Sequence, residues 1–243
     1  MDQNTAPAPS IPLWQTIVFT LLTLVVFLFA QTSALQHYTD SQMANFPEME
    51  RSALLKIMSS DATAVSLVSI IGAITATAFL LLIIHLRSLS IKQYLSLYSY
   101  TKRDLINWQL VMIAFIAITS LFAYVISHET SDFMKRLWES CDNVVLLLIA
   151  VVIAAPIFEE CLFRGFLFSG LQQSHLGTGA AIVFSAAAWA VIHTQYGTFD
   201  LITVFVFGII LAVARIASHS LLLPITLHGT FNFFAVLEMA IFN

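Results

Sequence analysis

Charge is what this sequence lacks most. Lys, Arg, Asp and Glu make up 10% of its 243 residues, while 59% are hydrophobic; an ordinary soluble domain is about 25% charged. That balance excludes a soluble globular domain. Uncharged runs recur at the roughly 20-residue length that a helix needs to cross about 30 Å of hydrocarbon. They lack the period-two alternation of barrel strands, which leaves helices, whose backbone is satisfied within the segment. Cysteine is scarce as well. Cys141 and Cys161 are too few for a disulfide framework and have no metal-ligand spacing. No His-Glu-x-x-His occurs, and no internal repeat or low-complexity tract. The net charge of −4 is spread through the loops, so nucleic acid is not an expected partner. No basic segment precedes the first apolar run and no small-x-small site follows it, so the run reads as a retained anchor rather than a signal peptide.

What is present is a series of apolar segments at 11–35, 62–86, 106–127, 143–171, 180–193, 201–214 and 221–242. The prediction is an all-α fold: a polytopic transmembrane helical bundle of about seven helices, with a polar site enclosed by the last four. Residues 1–142 supply amino-terminal helices and loops and 143–243 the chemical core, within one integrated membrane domain. Residues 1–10, with Pro7 and Pro9, read as a mobile polar lead, and 50–56 as an amphipathic turn at the interface. The loop at 87–108 holds Arg87, Lys92, Lys102 and Arg103 with three tyrosines and Trp108, an interfacial composition and the best cytoplasmic candidate. With that side inside and Arg215 counted as a loop residue, five basic loop residues lie inside and four outside.

The segment at 143–171 carries Glu159, Glu160 and Arg164, with Glu159 about 24 Å of helical rise below its start. Each ionisable group near a bilayer centre costs about 2.5–3.5 kcal/mol unless it is paired or faces water. Glu160 and Arg164 stand four apart and can pair along one helix face. Glu159 lies about 100° round the helix with no local partner. Pro156 is expected to kink the helix just before the acids. Two further polar clusters follow: His193, four after Trp189, and His228 with Asn232, which share a helix face. Taken singly, these are a buried ion pair, an interfacial histidine and interhelical hydrogen-bond glue. Together they allow a carboxylate and an imidazole to take a proton from water while a second imidazole and an amide face an oxyanion.

Glu159-Glu160-x-x-x-Arg164, an aromatic-x-x-x-His ending at His193, and His228-x-x-x-Asn232, in that order on consecutive apolar helices, resemble the CPBP family of intramembrane glutamic endopeptidases, the type II CAAX prenyl proteases and their bacteriocin-processing relatives. The resemblance covers roughly residues 143–236. It implies that Glu159 and His193 activate water, that His228 and Asn232 form the oxyanion site, and that Glu160 with Arg164 braces them. Trp189 stands where the family usually has phenylalanine, a departure expected to bear on packing more than on chemistry. The implied activity is hydrolysis of a peptide or lipid-modified protein within the lipid bilayer of a bacterial inner membrane. No cofactor or metal is expected, because Arg164 would repel a cation; zinc is the runner-up. The competing functions are a non-catalytic immunity or interaction protein of the same fold and a transporter or proton relay. Isoprenylated proteins, bacteriocin leaders and signalling peptides all suit such a site, and the residues do not choose among them.

Overall fold

The computed structural model describes residues 11–129 and 131–242, so the polar lead read at 1–10 lies outside the described residues. The described chain is helical throughout its regular structure. In order come α1 (Leu13–Gln42), α2 (Arg51–Met58), α3 (Ala62–Leu86), the single turn α4 (Ile91–Tyr94), α5 (Lys102–Val125) and α6 (Asp132–Glu139). They are followed by α7 (Val144–Gln173), α8 (Gly177–Val191), α9 (Thr198–Ser218) and α10 (Leu222–Phe242). Six of these, α1, α3, α5, α7, α9 and α10, are long and apolar enough to cross a membrane, and α8 is a shorter apolar helix. The chain is a polytopic helical membrane protein.

Local chemistry sets the helix starts. Asp61 accepts from the Ala64 amide at the head of α3, and Thr101 with Asp104 forms a reciprocal cap on α5. Ser131 and Asn143 cap α6 and α7 in the same way. Helix α6 lies between the apolar segments read from sequence, in the charged stretch at 128–142; it folds because Leu137 is buried against Leu147, Val236 and Met239. Helix α9 closes on His219 in the left-handed conformation (φ 51°).

Helix α7 is the axis of the bundle. All eight residues from Glu160 to Leu167 are buried, so this stretch meets protein on every side. The amino-terminal helices pack directly on it: Phe27 of α1 stacks on Phe158 with ring centroids 4.5 Å apart. Helix α8, rich in small residues, buries Ala181, Ser185 and Ala186. Its 15 residues rise only about 22 Å, and the 192–197 loop that follows carries His193 and Tyr196.

One expectation is corrected. Arg215 is not a loop residue: it lies within α9, 6% exposed, donating to Ser169 Oγ at 2.8 Å and packed on the Phe168 ring. Removing it from the loop count leaves four basic residues on each side, and the charge asymmetry that oriented the chain disappears.

Candidate active site

Pro156 shapes the site from the backbone outward. Around it α7 takes π-helical geometry, at Ile149–Ala154 and again at Glu160–Leu167. In the i→i+5 register the partner of the Val151 carbonyl would be the nitrogen of Pro156, which carries no hydrogen. That carbonyl is taken from across the bundle, by Asn232 Nδ2 of α10 at 2.7 Å. One turn earlier Gly229 lies so close that a Cβ there would sit 2.6 Å from the Val152 carbonyl oxygen. Helix α10 therefore docks on the carbonyls that the proline leaves open, and this docking carries His228 over the two acids.

Glu160 and Arg164 are fully buried, with Arg164 Nη1 3.0 Å from Glu160 Oε1. The same oxygen faces His228 Nδ1 at 2.9 Å. A carboxylate in an ion pair accepts, so His228 Nδ1 donates and its Nε2 is turned toward Glu159, 3.9 Å from Oε2. His228 thus bridges the adjacent acids, and Glu160 orients it. Gly208 lets α9 close over Arg164, since a Cβ there would lie 2.8 Å from Nη2.

Glu159 has no partner on its own helix, but it is not free. Trp189 Nε1 donates to its Oε2 at 2.5 Å. The guanidinium carbon of Arg164 lies 4.3 Å from the centroid of the same indole. The Trp189 carbonyl accepts from His193 Nδ1 at 2.8 Å, so the neutral ring keeps the lone pair of Nε2. Trp189 therefore touches Glu159, Arg164 and His193, so beside the packing expected of it stands a hydrogen bond to an acid of the site. Its signal in the sequence was an indole N–H, a group that seeks an acceptor when buried, four residues before His193 in an apolar helix. Tyr196 stacks on His193 at 5.7 Å and was also missed. Burial, aided by the negative charges of Glu159 and Asp200, pushes its phenol up to about 12.

Glu159, His193, His228 and Asn232 line one cavity of about 260 Å³, together with Trp189 and Phe207. Glu160 and Arg164 lie behind this lining, buried. The cavity continues on two sides. Through Glu159, His193 and Gln195 it shares walls with a cleft of about 460 Å³ against Leu24, Phe27 and Leu28 of α1. Through Tyr196, Phe231 and Ala235 it shares walls with one of about 490 Å³ that holds Thr119, His128, Asp200 and Glu238.

Among the described residues no three His, Cys, Asp or Glu side chains are arranged to hold a metal ion. Glu159 Oε2 accepts from an indole N–H and Glu160 Oε1 pairs with a guanidinium, so one oxygen of each acid is already engaged by a donor.

Comparison with known proteins matches part of the chain. Over 114 residues the sequence is 34% identical to an Escherichia coli protein described as "Uncharacterized 24.3 kDa protein", covering 44% of this chain and 52% of that protein. The chain thus matches about half the length of this curated relative. No solved structure matches. Residues 142–234 match the family described as "Type II CAAX prenyl endopeptidase Rce1-like", a segment that holds Glu159, Glu160, Arg164, Trp189, His193, His228 and Asn232. The likeness to the Rce1-like type II CAAX prenyl endopeptidases is thus carried by this segment, which is less than half of the chain.

Proposed function

We propose that the chain is an intramembrane endopeptidase that cleaves a peptide or lipid-modified protein at the bilayer, without a metal, by water activated on Glu159 and His193. The observation that carries this reading is the placement of His228, with Nδ1 2.9 Å from Glu160 and Nε2 3.9 Å from Glu159, at the wall of a cavity that His193 and Asn232 also line.

The steps balance with these groups alone. Water in the cavity gives a proton to Glu159 or to Nε2 of His193 as its oxygen bonds to the scissile carbonyl carbon. The oxyanion that forms meets His228, which donates from Nε2 when it carries a proton there, and the second N–H of the Asn232 amide, whose first is spent on Val151. Collapse breaks the C–N bond, and the proton held by the base passes to the leaving nitrogen, giving a carboxylic acid and an amine. Glu160 and Arg164 serve as the brace that fixes His228. Clefts on both sides of the centre suit a chain that continues past the scissile bond in both directions, as an endopeptidase requires. A bacterial inner membrane suits the E. coli relative.

The test is comparative peptidomics of membranes from cells expressing the wild type or Glu159→Ala. The reading expects new termini that appear only with the wild type and persist in the presence of strong chelators. Termini that vanish with chelator and return with zinc would replace the metal-free mechanism by a zinc-dependent one. Identical peptidomes would favour a non-catalytic membrane protein of this fold.

A further inference from the structure

We infer that Trp189 is a positioning residue for the Glu159 carboxylate, pinning one oxygen with its indole N–H so that the other is presented to water. The inference rests on the reading of Glu159 as the base. Indole nitrogen is a donor only, so the 2.5 Å contact has one direction, from Nε1 to Oε2. A short N–H bond to a carboxylate is of the stronger, charge-assisted kind.

The donor is itself immobile. Trp189 is 2% exposed. Its ring carries the Arg164 guanidinium 4.3 Å over its face and meets the rings of His193, His228 and Phe207 edge-on at 5.2, 5.1 and 5.7 Å. A glutamate side chain has three rotatable bonds, and Glu159 has 15% of its side chain open. Without a fixed donor it would sample several orientations, whereas a donor held on all sides sets one in advance, which is what a positioned base needs.

Glu160 meets Arg164 directly at 3.0 Å, while Glu159 bonds the N–H edge of the indole whose face carries that cation. A cation over one face draws electron density from the ring and makes its N–H a better donor. Phenylalanine, the usual aromatic of the resembled motif, would keep the face and edge contacts but offers no N–H. The departure from that pattern therefore adds one interaction, and it falls on the carboxylate.

Two variants isolate the N–H. Trp189→Phe keeps an aromatic ring, and replacement of Trp189 by β-(3-benzothienyl)alanine keeps the bicyclic shape with sulfur in place of N–H. Purified protein in lipid nanodiscs is given a tryptic peptide library from a whole-cell proteome, and kcat and KM are measured for one peptide that wild type cleaves and Glu159→Ala does not. Both variants should lose about ten- to a hundred-fold in kcat, the span expected for a hydrogen bond to a charged group, with KM within twofold and the fold retained. In parallel, the indole ¹⁵N–¹H resonance assigned by its loss in Trp189→Phe should lie downfield of those of Trp14, Trp108 and Trp138 and move upfield in Glu159→Ala. An unmoved resonance, an unchanged kcat, or an effect confined to KM would each overturn the assignment. Absence of any Glu159-dependent cleavage by wild type would instead sink the endopeptidase reading and Trp189's role with it, while the resonance still reports whether the bond exists.

Discussion

Asn232 gives one hydrogen of its side-chain amide to the main-chain carbonyl of Val151, 2.7 Å away on another helix. The bond is an interhelical tie, the reading the sequence offers for Asn232 beside the proposed oxyanion role, and it uses one of the amide's two hydrogens. Asn232→Ala should leave the Val151 carbonyl unsatisfied, a loss of about 1–3 kcal/mol, and remove an oxyanion donor. Melting temperature and turnover should therefore fall together, and a fall in turnover with no loss of thermal stability would separate the amide from the docking of α10.

Gly229 tests the same contact by overfilling it. A methyl group there meets the Val152 carbonyl oxygen at 2.6 Å, so Gly229→Ala should cost about 1–3 kcal/mol. It should also displace His228 on the same turn, lowering activity in step. Thermal unfolding in nanodiscs checks it, and a variant as stable as wild type would show that the helices approach less closely.

Glu160 is the acid whose loss should be felt in the fold. Glu160→Gln strands Arg164, a fully buried cation, at a cost of about 3–5 kcal/mol, and weakens the acceptor that orients His228. The double change Glu160→Gln with Arg164→Gln restores charge balance and should recover expression and melting temperature, but not activity. Recovery of both would reduce the pair to a structural ion pair with no hold on His228.

Much of this site was legible because its strongest relationships are local or use rare residue types. Glu160 and Arg164 pair along one helix, and His228 with Asn232 share a face at the same spacing. The contacts that cross between helices were not legible. Nothing in the sequence states that the Trp189 indole reaches back thirty residues to Glu159, or that the Val151 carbonyl is left for Asn232 once Pro156 forces a π register. Helix α6 escaped notice because eight charged and apolar residues resemble a loop until Leu137 finds its neighbours. Arg215 was misread because composition cannot tell a helix-end cation facing water from one turned into the bundle.

Alkaline pH gives a separate check on burial at the 192–197 loop. The Tyr196 phenol, and that of Tyr94 in α4, are each pushed up to about 12, mainly by burial, whereas an unfolded tyrosine ionises near 10. A raised folded value means the stabilisation is full below about pH 10 and is lost as pH rises toward 12. Melting temperature should therefore fall across that interval, and Tyr196→Phe should flatten part of the fall. An identical alkaline slope in Tyr196→Phe would mean that the phenol is open to water.

The most direct test of the central claim is Glu159→Gln in purified protein, read for both folding and cleavage of a proteome-derived peptide library in nanodiscs. A lost general base is worth about 10²–10⁴-fold, and the amide can still accept from Trp189. The variant should therefore melt like wild type and lose Glu159-dependent cleavage by at least a hundredfold. Wild-type rates in a folded Glu159→Gln protein would contradict the account.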